Sequence, residues 1–207
     1  MTSTESQPIT HPLIDLHLRE QVLNWLSEQV PRSRIEHILR VEQMAIDLAI
    51  QHQLNVAIAQ VAGLMHDLAK YFQPQVLLKM AIAEGVELDE ILESHPHLLH
   101  ADISAVVARK EFGIEDQEVL DAIANHTLGK PQMSPLSCVV FLADTLEPGR
   151  GDTASLQALR SLCNENLYHA VWKTCDYTLA YLMKTCRVVH PRIILTRNWA
   201  LQTYQGR

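Results

Sequence analysis

The 207 residues are enough for one globular domain, and a content of 47% hydrophobic and 20% charged residues argues against a disordered chain. The formal net charge of −7 argues against a nucleic-acid partner, because a phosphate backbone is usually held by a basic face. No apolar run is long enough to span a bilayer, and the polar N-terminus lacks the basic region of a signal peptide. We therefore expect a cytoplasmic protein without a membrane partner.

After a tail at residues 1–11 that we expect to be disordered, the spacing of apolar residues predicts a series of helices. A proline ends the first helix, and Ser33-Arg-Ile-Glu36 is a capping-box pattern that begins the second. Asn55 can cap a third helix that reaches Lys70. The dyad His66-Asp67 is then expected inside a regular helix.

Glycine, proline and capping residues divide the rest of the chain into further helices. The expected segments lie near residues 74–85, 88–93, 98–112, 116–126, 134–148, 153–163 and 165–189, and from residue 191 onwards. The sequence shows no repeat, low-complexity linker or convincing strand pattern. It therefore predicts one compact all-α bundle, with residues 12–152 as the main helical domain and residues 153–207 as C-terminal helices packed on it.

The dyad His66-Asp67 is flanked on both sides by apolar residues. Burying an imidazole and a carboxylate together is costly, and a metal ion that both can bind would compensate the cost. Alone, such a dyad is more often a surface pair or a hydrogen-bonded pair. Four further residues change this interpretation, because they lie in or at the ends of separate predicted helices beside apolar neighbours, as in other metal sites of helical bundles. They are His37, His100, His126 and Asp144.

The order of these residues resembles the HD superfamily of metal-dependent phosphohydrolases, and His100 and His126 resemble the additional ligands of its six-ligand variant. More closely, the chain resembles the YqeK family of symmetrically cleaving bis(5′-nucleosyl)-tetraphosphatases, from about residue 32 to 200. The matching stretches are Arg34-Ile-Glu-His37, Ala62-Gly-Leu-Met-His-Asp-Leu-Ala-Lys70, Leu99-His-Ala101, His126-Thr-Leu-Gly-Lys-Pro-Gln-Met-Ser134, Phe141-Leu-Ala-Asp-Thr-Leu-Glu-Pro-Gly-Arg150, and His190-Pro191 with Arg197-Asn198. Thr145-Leu146 departs from the family pattern, which favours Tyr or Lys followed by Ile.

This resemblance implies two divalent or trivalent metal ions, commonly iron, although manganese, cobalt and nickel suit the same ligands. The ligands of one ion would be His37, His66, Asp67 and Asp144, and those of the other Asp67, His100 and His126. The resemblance also implies that diadenosine tetraphosphate, or another dinucleoside tetraphosphate, is the small-molecule substrate. A metal-bound water or hydroxide would cleave it at its central anhydride to two ADP.

We expect Asp67, as the bridging ligand, and Lys70 to be the catalytic residues. Lys70 follows His66 by four positions, so a regular helix would place both on one face, where the lysine could contact phosphate. Its alternative role is an exposed charge at a helix end. The other candidates for substrate contacts are Arg34, Thr127 and Arg150, with an ion pair as the alternative for Arg34 and a solvated loop position for Arg150.

Two alternative functions stay open. One is another HD-type nucleotide phosphohydrolase, a nucleotidase or an alarmone hydrolase, although the alarmone enzymes carry acidic residues where this chain has Lys70. The other is a non-catalytic helical interaction module, although all six ligands are present. The sequence also leaves open the native metal, the preferred base, the oligomeric state, including a homodimer, and the roles of His95, His97 and the C-terminal helices.

Overall fold

The computed structural model describes residues 14–206, and within that range the chain forms eleven α-helices, two short 3₁₀ helices and no β-strand. The expected disordered tail at residues 1–11 lies outside the described residues. The helices are α1 (Leu16–Gln29), α2 (Arg32–Gln51), α3 (Val56–Met65), α4 (Pro74–Ala83), α5 (Glu90–Ser94), α6 (His100–Phe112), α7 (Gln117–Asn125), α8 (Pro135–Leu146), α9 (Ala154–Glu165), α10 (Leu167–Lys184) and α11 (Pro191–Tyr204), and the 3₁₀ helices span Pro96–Leu99 and Pro148–Arg150.

Side-chain caps account for most of the helix starts, as the sequence predicts, but the capping box expected at Ser33 is wrong. Helix α2 begins at Arg32, two residues earlier than a cap at Ser33 would place it, after the extended backbone of Pro31 and without a side-chain cap. The carboxylate of Glu36 instead accepts a hydrogen bond from Arg32 Nε at 3.2 Å. Since a proline cannot donate a backbone hydrogen bond, it suits the position just before the first turn.

Helix α3 ends at Met65, so the expectation that it continues to Lys70 is wrong. His66 Nδ1 lies 2.8 Å from the carbonyl oxygen of Gly63, which is the acceptor that the next N–H of a regular helix would use. The chain continues in tighter turns, in which the N–H of Lys70 donates to the carbonyl of Asp67 at 3.1 Å. The dyad therefore lies at a helix end, where the backbone can change direction.

The core is aliphatic and lies in two clusters that meet at α2 and α8. One cluster includes Ile38 of α2 and Val140 of α8 and extends to α1, α3, α6 and α7. The other includes Val41 of α2 and Phe141 of α8 and extends to α9, α10 and α11. Both faces of α8 are buried, which explains why its sequence is apolar almost throughout. The same packing fixes the position of Asp144 near the C-terminal end of the helix.

Close packing of α2 and α3 depends on Gly63. A Cβ atom at this position would lie 3.1 Å from Ala45 Cβ and 3.1 Å from Glu42 Cα. The glycine therefore allows the two backbones to approach and brings the end of α3 beside His37 of α2. Within residues 14–206, no helix combines the length and apolarity that a membrane crossing requires.

Candidate metal centre

The structure brings all six predicted metal ligands into one buried cluster. They come from α2, from the residues that follow α3 and α7, from the first residue of α6, and from the last turn of α8. The imidazoles are buried and the Asp67 side chain is 2% exposed, whereas Asp144 is 19% exposed and reaches the rim. Residues that lie up to 107 positions apart in the sequence are thus in direct contact.

Asp67 lies at the centre of the cluster and presents one carboxylate oxygen to each half of it. Its Oδ2 lies 3.4 Å from His66 Nε2 and 3.8 Å from His37 Nε2. Its Oδ1 lies 3.4 Å from His100 Nε2 and 3.5 Å from His126 Nε2. The side chains thereby form two sets of possible ligands, each with its ligand atoms within 4.8 Å of one another, and both sets contain Asp67.

Asp144 completes the first of these sets. Its Oδ1 lies 3.0 Å from His37 Nε2 and 3.7 Å from His66 Nε2. His66 Nε2 and Asp67 Oδ1 are buried and have no hydrogen-bond partner among the described residues. An unpartnered buried nitrogen and oxygen at the centre of such a cluster is costly, and cations that both atoms can bind would offset that cost. The donor set therefore fits two metal ions.

Three of the four imidazoles are oriented by the same kind of hydrogen bond. In each, Nδ1 lies within hydrogen-bond distance of the backbone carbonyl three residues earlier, and because a carbonyl only accepts, Nδ1 carries the proton. In the neutral imidazole, the remaining nitrogen, Nε2, then presents a lone pair to the cluster, which is one of the two ways in which a histidine binds a metal. These bonds join His66 to Gly63 at 2.8 Å, His100 to His97 at 2.7 Å and His126 to Ile123 at 2.7 Å.

The fourth imidazole, His37, is oriented by Glu147, a residue to which the sequence analysis assigned no role. Glu147 is 1% exposed, and its Oε1 accepts a hydrogen bond from His37 Nδ1 at 3.0 Å. Burial opposes its charge, but hydrogen bonds from Arg40, His37 and the backbone of Gly149 keep the pKa of Glu147 below its usual value. The sequence held one indication of this role, because Glu147 lies in the stretch Phe141–Arg150 that carries the family resemblance.

Electrostatics keep both carboxylates of the cluster ionised. Burial disfavours the charge on Asp67, but the neighbouring imidazoles of His66 and His126 and the charge of Lys70 hold the pKa of Asp67 well below its usual value. Burial likewise opposes the charge on Asp144, but the contact with His37 and the neighbouring His66 and His126 together lower the pKa of Asp144. Two carboxylates that stay ionised near neutral pH in a buried site are suited to cations.

Lys70 and Thr127 both contact His100 at the opening of the cluster. Lys70 Nζ lies 3.0 Å from His100 Nε2, and Thr127 Oγ1 lies 3.1 Å from the same nitrogen. Burial and the neighbouring charge of Lys70 lower the pKa of His100 to about 3, so this imidazole is neutral near pH 7. The lysine reaches the cluster although its helical spacing from His66 is lost, because the turns after α3 fold back towards α6.

Two arginines approach the cluster from other directions. Arg34 Nη1 donates to Asp67 Oδ2 at 2.9 Å, which is the ion pair anticipated as an alternative role. Arg150 is not a free loop residue, because its Nη2 donates to Asp144 Oδ1 at 2.7 Å and its Nε to the Asp144 carbonyl at 2.9 Å. Together with Lys70, these residues place three positive charges at the edge of the carboxylates.

A cavity of about 480 Å³ opens beside the cluster, and we call it the tyrosine cavity. It has the volume of a typical small-molecule site. The C-terminal helices contribute part of its wall, which sequence reasoning did not anticipate. Its lining includes Lys70, Asp144, Arg150, Leu156, Tyr177 and Tyr181.

Comparisons with known proteins agree with this geometry. The family model described as HD domain matches residues 34–149, a range that contains all six predicted ligands. A protein from Bacillus subtilis named symmetrical bis(5′-nucleosyl)-tetraphosphatase is 34% identical over 181 residues, which are 87% of this chain and 96% of that protein. A protein of the same name from Halalkalibacterium halodurans is 33% identical over 183 residues, 88% of this chain and 97% of its own.

A solved structure has the same fold along nearly its whole length. It is a protein from Clostridium acetobutylicum described as a predicted HD superfamily hydrolase involved in NAD metabolism. Its TM-score is 0.85 at 30% identity, and the match covers 89% of this chain and 97% of that one. The similarity therefore extends beyond residues 34–149, the range that the family model matches.

Proposed function

The chain belongs to the HD-domain family and, within it, to the family of the symmetrical bis(5′-nucleosyl)-tetraphosphatases, and on this basis we propose that it hydrolyses dinucleoside tetraphosphates at their centre. Diadenosine tetraphosphate would give two ADP. The observation that carries the proposal is the buried cluster around Asp67, with two sets of ligand atoms and three cationic side chains at its edge. A His-Asp dyad without the other four ligands would give one incomplete ligand set, and an acidic surface would lack the three cationic side chains.

The cluster would hold two metal ions through His37, His66, Asp67, His100, His126 and Asp144. We propose iron as the native metal, as the family resemblance implies. Manganese, cobalt and nickel are alternatives, because imidazole and carboxylate ligands accept all four. When bound, two such ions lower the pKa of water and polarise the phosphoryl group under attack. The Asp67 carboxylate belongs to both ligand sets, so it would fix the distance between them.

The surrounding residues would bind and orient the tetraphosphate. Lys70 and Arg150 line the tyrosine cavity, and their charges would neutralise phosphate oxygens that a net acidic protein otherwise repels. Arg34 would exchange part of its contact with Asp67 for a phosphate oxygen, and Thr127 would donate a hydrogen bond. Water attacks one central phosphorus, the bridging oxygen leaves with the other half, and the excess proton goes to solvent.

The alternative functions differ in features that the site displays. A non-catalytic module has no need of three imidazoles held in one tautomer around two ionised carboxylates. An alarmone hydrolase would carry acidic side chains after the dyad, whereas here the Lys70 ammonium lies 3.0 Å from His100. The geometry thus favours direct electrostatic binding of a polyphosphate chain.

Product analysis tests the proposal. Purified protein, loaded in turn with iron, manganese, cobalt and nickel, is incubated with diadenosine tetraphosphate, ATP, AMP and a guanosine alarmone, and the products are separated by anion exchange. We expect ADP alone from the tetraphosphate, and no ADP from the Asp67→Ala variant under identical loading. Formation of ATP and AMP, or turnover only of another substrate, would contradict the proposal.

A further inference from the structure

A second cavity adjoins the tyrosine cavity and is almost the same size. Its volume is about 470 Å³, against about 480 Å³ for the tyrosine cavity, and both are lined by Thr127 and Thr178. The shared Thr127 Oγ1 lies 3.1 Å from His100 Nε2, so the partition between the two cavities stands directly at the cluster. We call this second space the histidine cavity; its lining includes His95, His97, Leu182, Arg187, His190 and Ile193.

The histidine cavity offers the chemistry that a nucleoside needs. Leu182 and Ile193 provide apolar wall for the faces of a base, and the exposed ring of His97 can stack on it. Arg187 supplies a positive charge for phosphate or ribose oxygens. The His190 side of the cavity is held in place by two contacts. His190 caps α11, and its Nε2 lies 2.9 Å from Asp89 Oδ2.

The tyrosine cavity offers an equivalent set from different residues. Tyr177 and Tyr181 are 38% and 50% exposed, so their rings are available for stacking, and Lys70 supplies the charge. Arg187 connects the two spaces, because its guanidinium lies 5.8 Å from the centre of the Tyr181 ring. Both cavities thus combine flat ring faces, apolar wall and a cation, and each exceeds the lower volume of about 300 Å³ typical of ligand sites.

We propose that the histidine cavity is a second nucleoside subsite, which binds one end of the dinucleoside tetraphosphate while the tyrosine cavity binds the other. This inference rests on the proposed function. With one nucleoside on each side of Thr127, the middle of the tetraphosphate lies over the cluster, and equal halves leave on both sides. Two subsites of similar size therefore provide a physical reason for symmetrical cleavage, since they position the central bond and no other.

The test fills the histidine cavity and compares substrates with two nucleosides and with one. In Leu182→Trp the indole would occupy the space of a base, and the matched control is Met183→Trp, because Met183 is the next residue of α10, is 66% exposed and lines neither cavity. The substrates are diadenosine tetraphosphate and adenosine 5′-tetraphosphate, which has a single nucleoside. ADP binding to the metal-loaded protein is measured by equilibrium dialysis.

We expect wild type and Met183→Trp to bind two ADP per chain and Leu182→Trp to bind one. Leu182→Trp should lower kcat/KM for diadenosine tetraphosphate by about 10- to 100-fold, the loss expected when the stacking of one base is removed. It should leave kcat/KM for adenosine 5′-tetraphosphate within about twofold, because a single nucleoside can still use the tyrosine cavity. Val188→Trp fills the same cavity from the segment between α10 and α11 and should act alike.

Binding of one ADP per chain by the wild type, or equal losses for the two substrates in Leu182→Trp and Val188→Trp at normal metal content, would overturn the second subsite. If the wild type also releases ADP from diadenosine tetraphosphate, the proposed function survives that result. Conversely, a wild type that binds two ADP and cleaves no tetraphosphate would contradict the proposed function alone.

Discussion

Glu147 and His37 are separated by 110 positions in the sequence, and their side chains share a hydrogen bond of 3.0 Å. At the scale of single residues, this contact and the three carbonyl contacts of the other imidazoles determine how the four rings are oriented in the cluster. They select the tautomer and hold each ring, so the four Nε2 atoms converge on two carboxylates. The cluster consequently depends on residues that would touch neither metal nor substrate.

For Glu147, we predict that Glu147→Ala lowers metal affinity or turnover by about 10- to 100-fold, as is typical when a partner of a metal-binding histidine is removed. The variant frees His37 Nδ1 and leaves Arg40 without its carboxylate. Glu147→Gln should recover part of the loss, because its amide oxygen can still accept from His37. Affinity is measured by competition with a chelator, with Glu165→Ala at the exposed end of α9 as the control. Unchanged affinity and turnover in Glu147→Ala would show that His37 needs no such partner.

For Lys70, we predict a loss in substrate binding without a loss of metal. A charge-assisted contact to phosphate is worth about 1.5–3 kcal/mol, so Lys70→Ala should lower kcat/KM by about one to two orders of magnitude. Lys70→Arg should recover part of this, since the charge remains while its geometry changes. Steady-state kinetics and metal analysis are compared with Lys79→Ala, an exposed lysine of α4. Kinetics like those of the control would make Lys70 only a charge near a helix end.

At the scale of elements, the position of the dyad is set by how closely α3 approaches α2. Gly63 permits that approach, and its carbonyl also holds the ring of His66 at 2.8 Å. Helix propensity alone would favour alanine at this interior position by about 0.5–1 kcal/mol. The added methyl group would, however, lie 3.1 Å from Ala45 Cβ and 3.1 Å from Glu42 Cα. A backbone atom inside α2 cannot move aside as the end of a flexible side chain can.

We therefore predict that Gly63→Ala destabilises the fold, because overpacking of about 1–3 kcal/mol outweighs the gain in propensity. It should also reduce metal binding, since α3 must shift away from α2 and carry the dyad with it. Denaturant unfolding measures the free energy, and metal analysis measures the site. A variant more stable than wild type would mean that the two helices tolerate a methyl group and that propensity decides the outcome.

At the scale of the whole molecule, the cluster joins parts of the chain that otherwise belong to different helices. Its side chains come from α2, α6 and α8 and from the ends of α3 and α7, while α10 closes the adjoining cavities. A cation bound at this point would cross-link the bundle. Binding to the folded chain and not to the unfolded one would add directly to the stability of the fold.

We predict that metal at 100 times its dissociation constant stabilises the protein by about 2.7 kcal/mol, which raises Tm by about 5–10 °C for a chain of this size. A chelator should reverse the shift. Thermal unfolding of the metal-loaded and chelator-treated protein is compared with that of Asp67→Ala, whose Tm should not respond to metal. A similar response in the variant would place the stabilising ion outside this cluster.

Local patterns in the sequence were sufficient for most of the secondary structure. Caps such as Asn55 and Ser134, and the glycine that ends α6, act within one turn of the chain, so their effect can be inferred from neighbouring letters alone. The same holds for the dyad His66-Asp67, whose apolar flanks predict burial. The six expected ligands do meet in the structure, and their role as ligands stays a prediction.

Contacts between distant parts of the chain account for what sequence analysis missed. Helix α3 ends at Met65, where the His66 ring lies within hydrogen-bond distance of the carbonyl of Gly63, and α3 packs closely against α2 at the same glycine. Glu147 acquires its role from a helix more than a hundred positions earlier. Both cavities are lined by Thr127 and by residues of α10, and the histidine cavity is also lined by the segment before α11. Sequence alone determined which side chains could bind metal, whereas the tertiary structure decided how they are oriented and where a substrate could lie, because orientation and empty space depend on distances that no local rule contains.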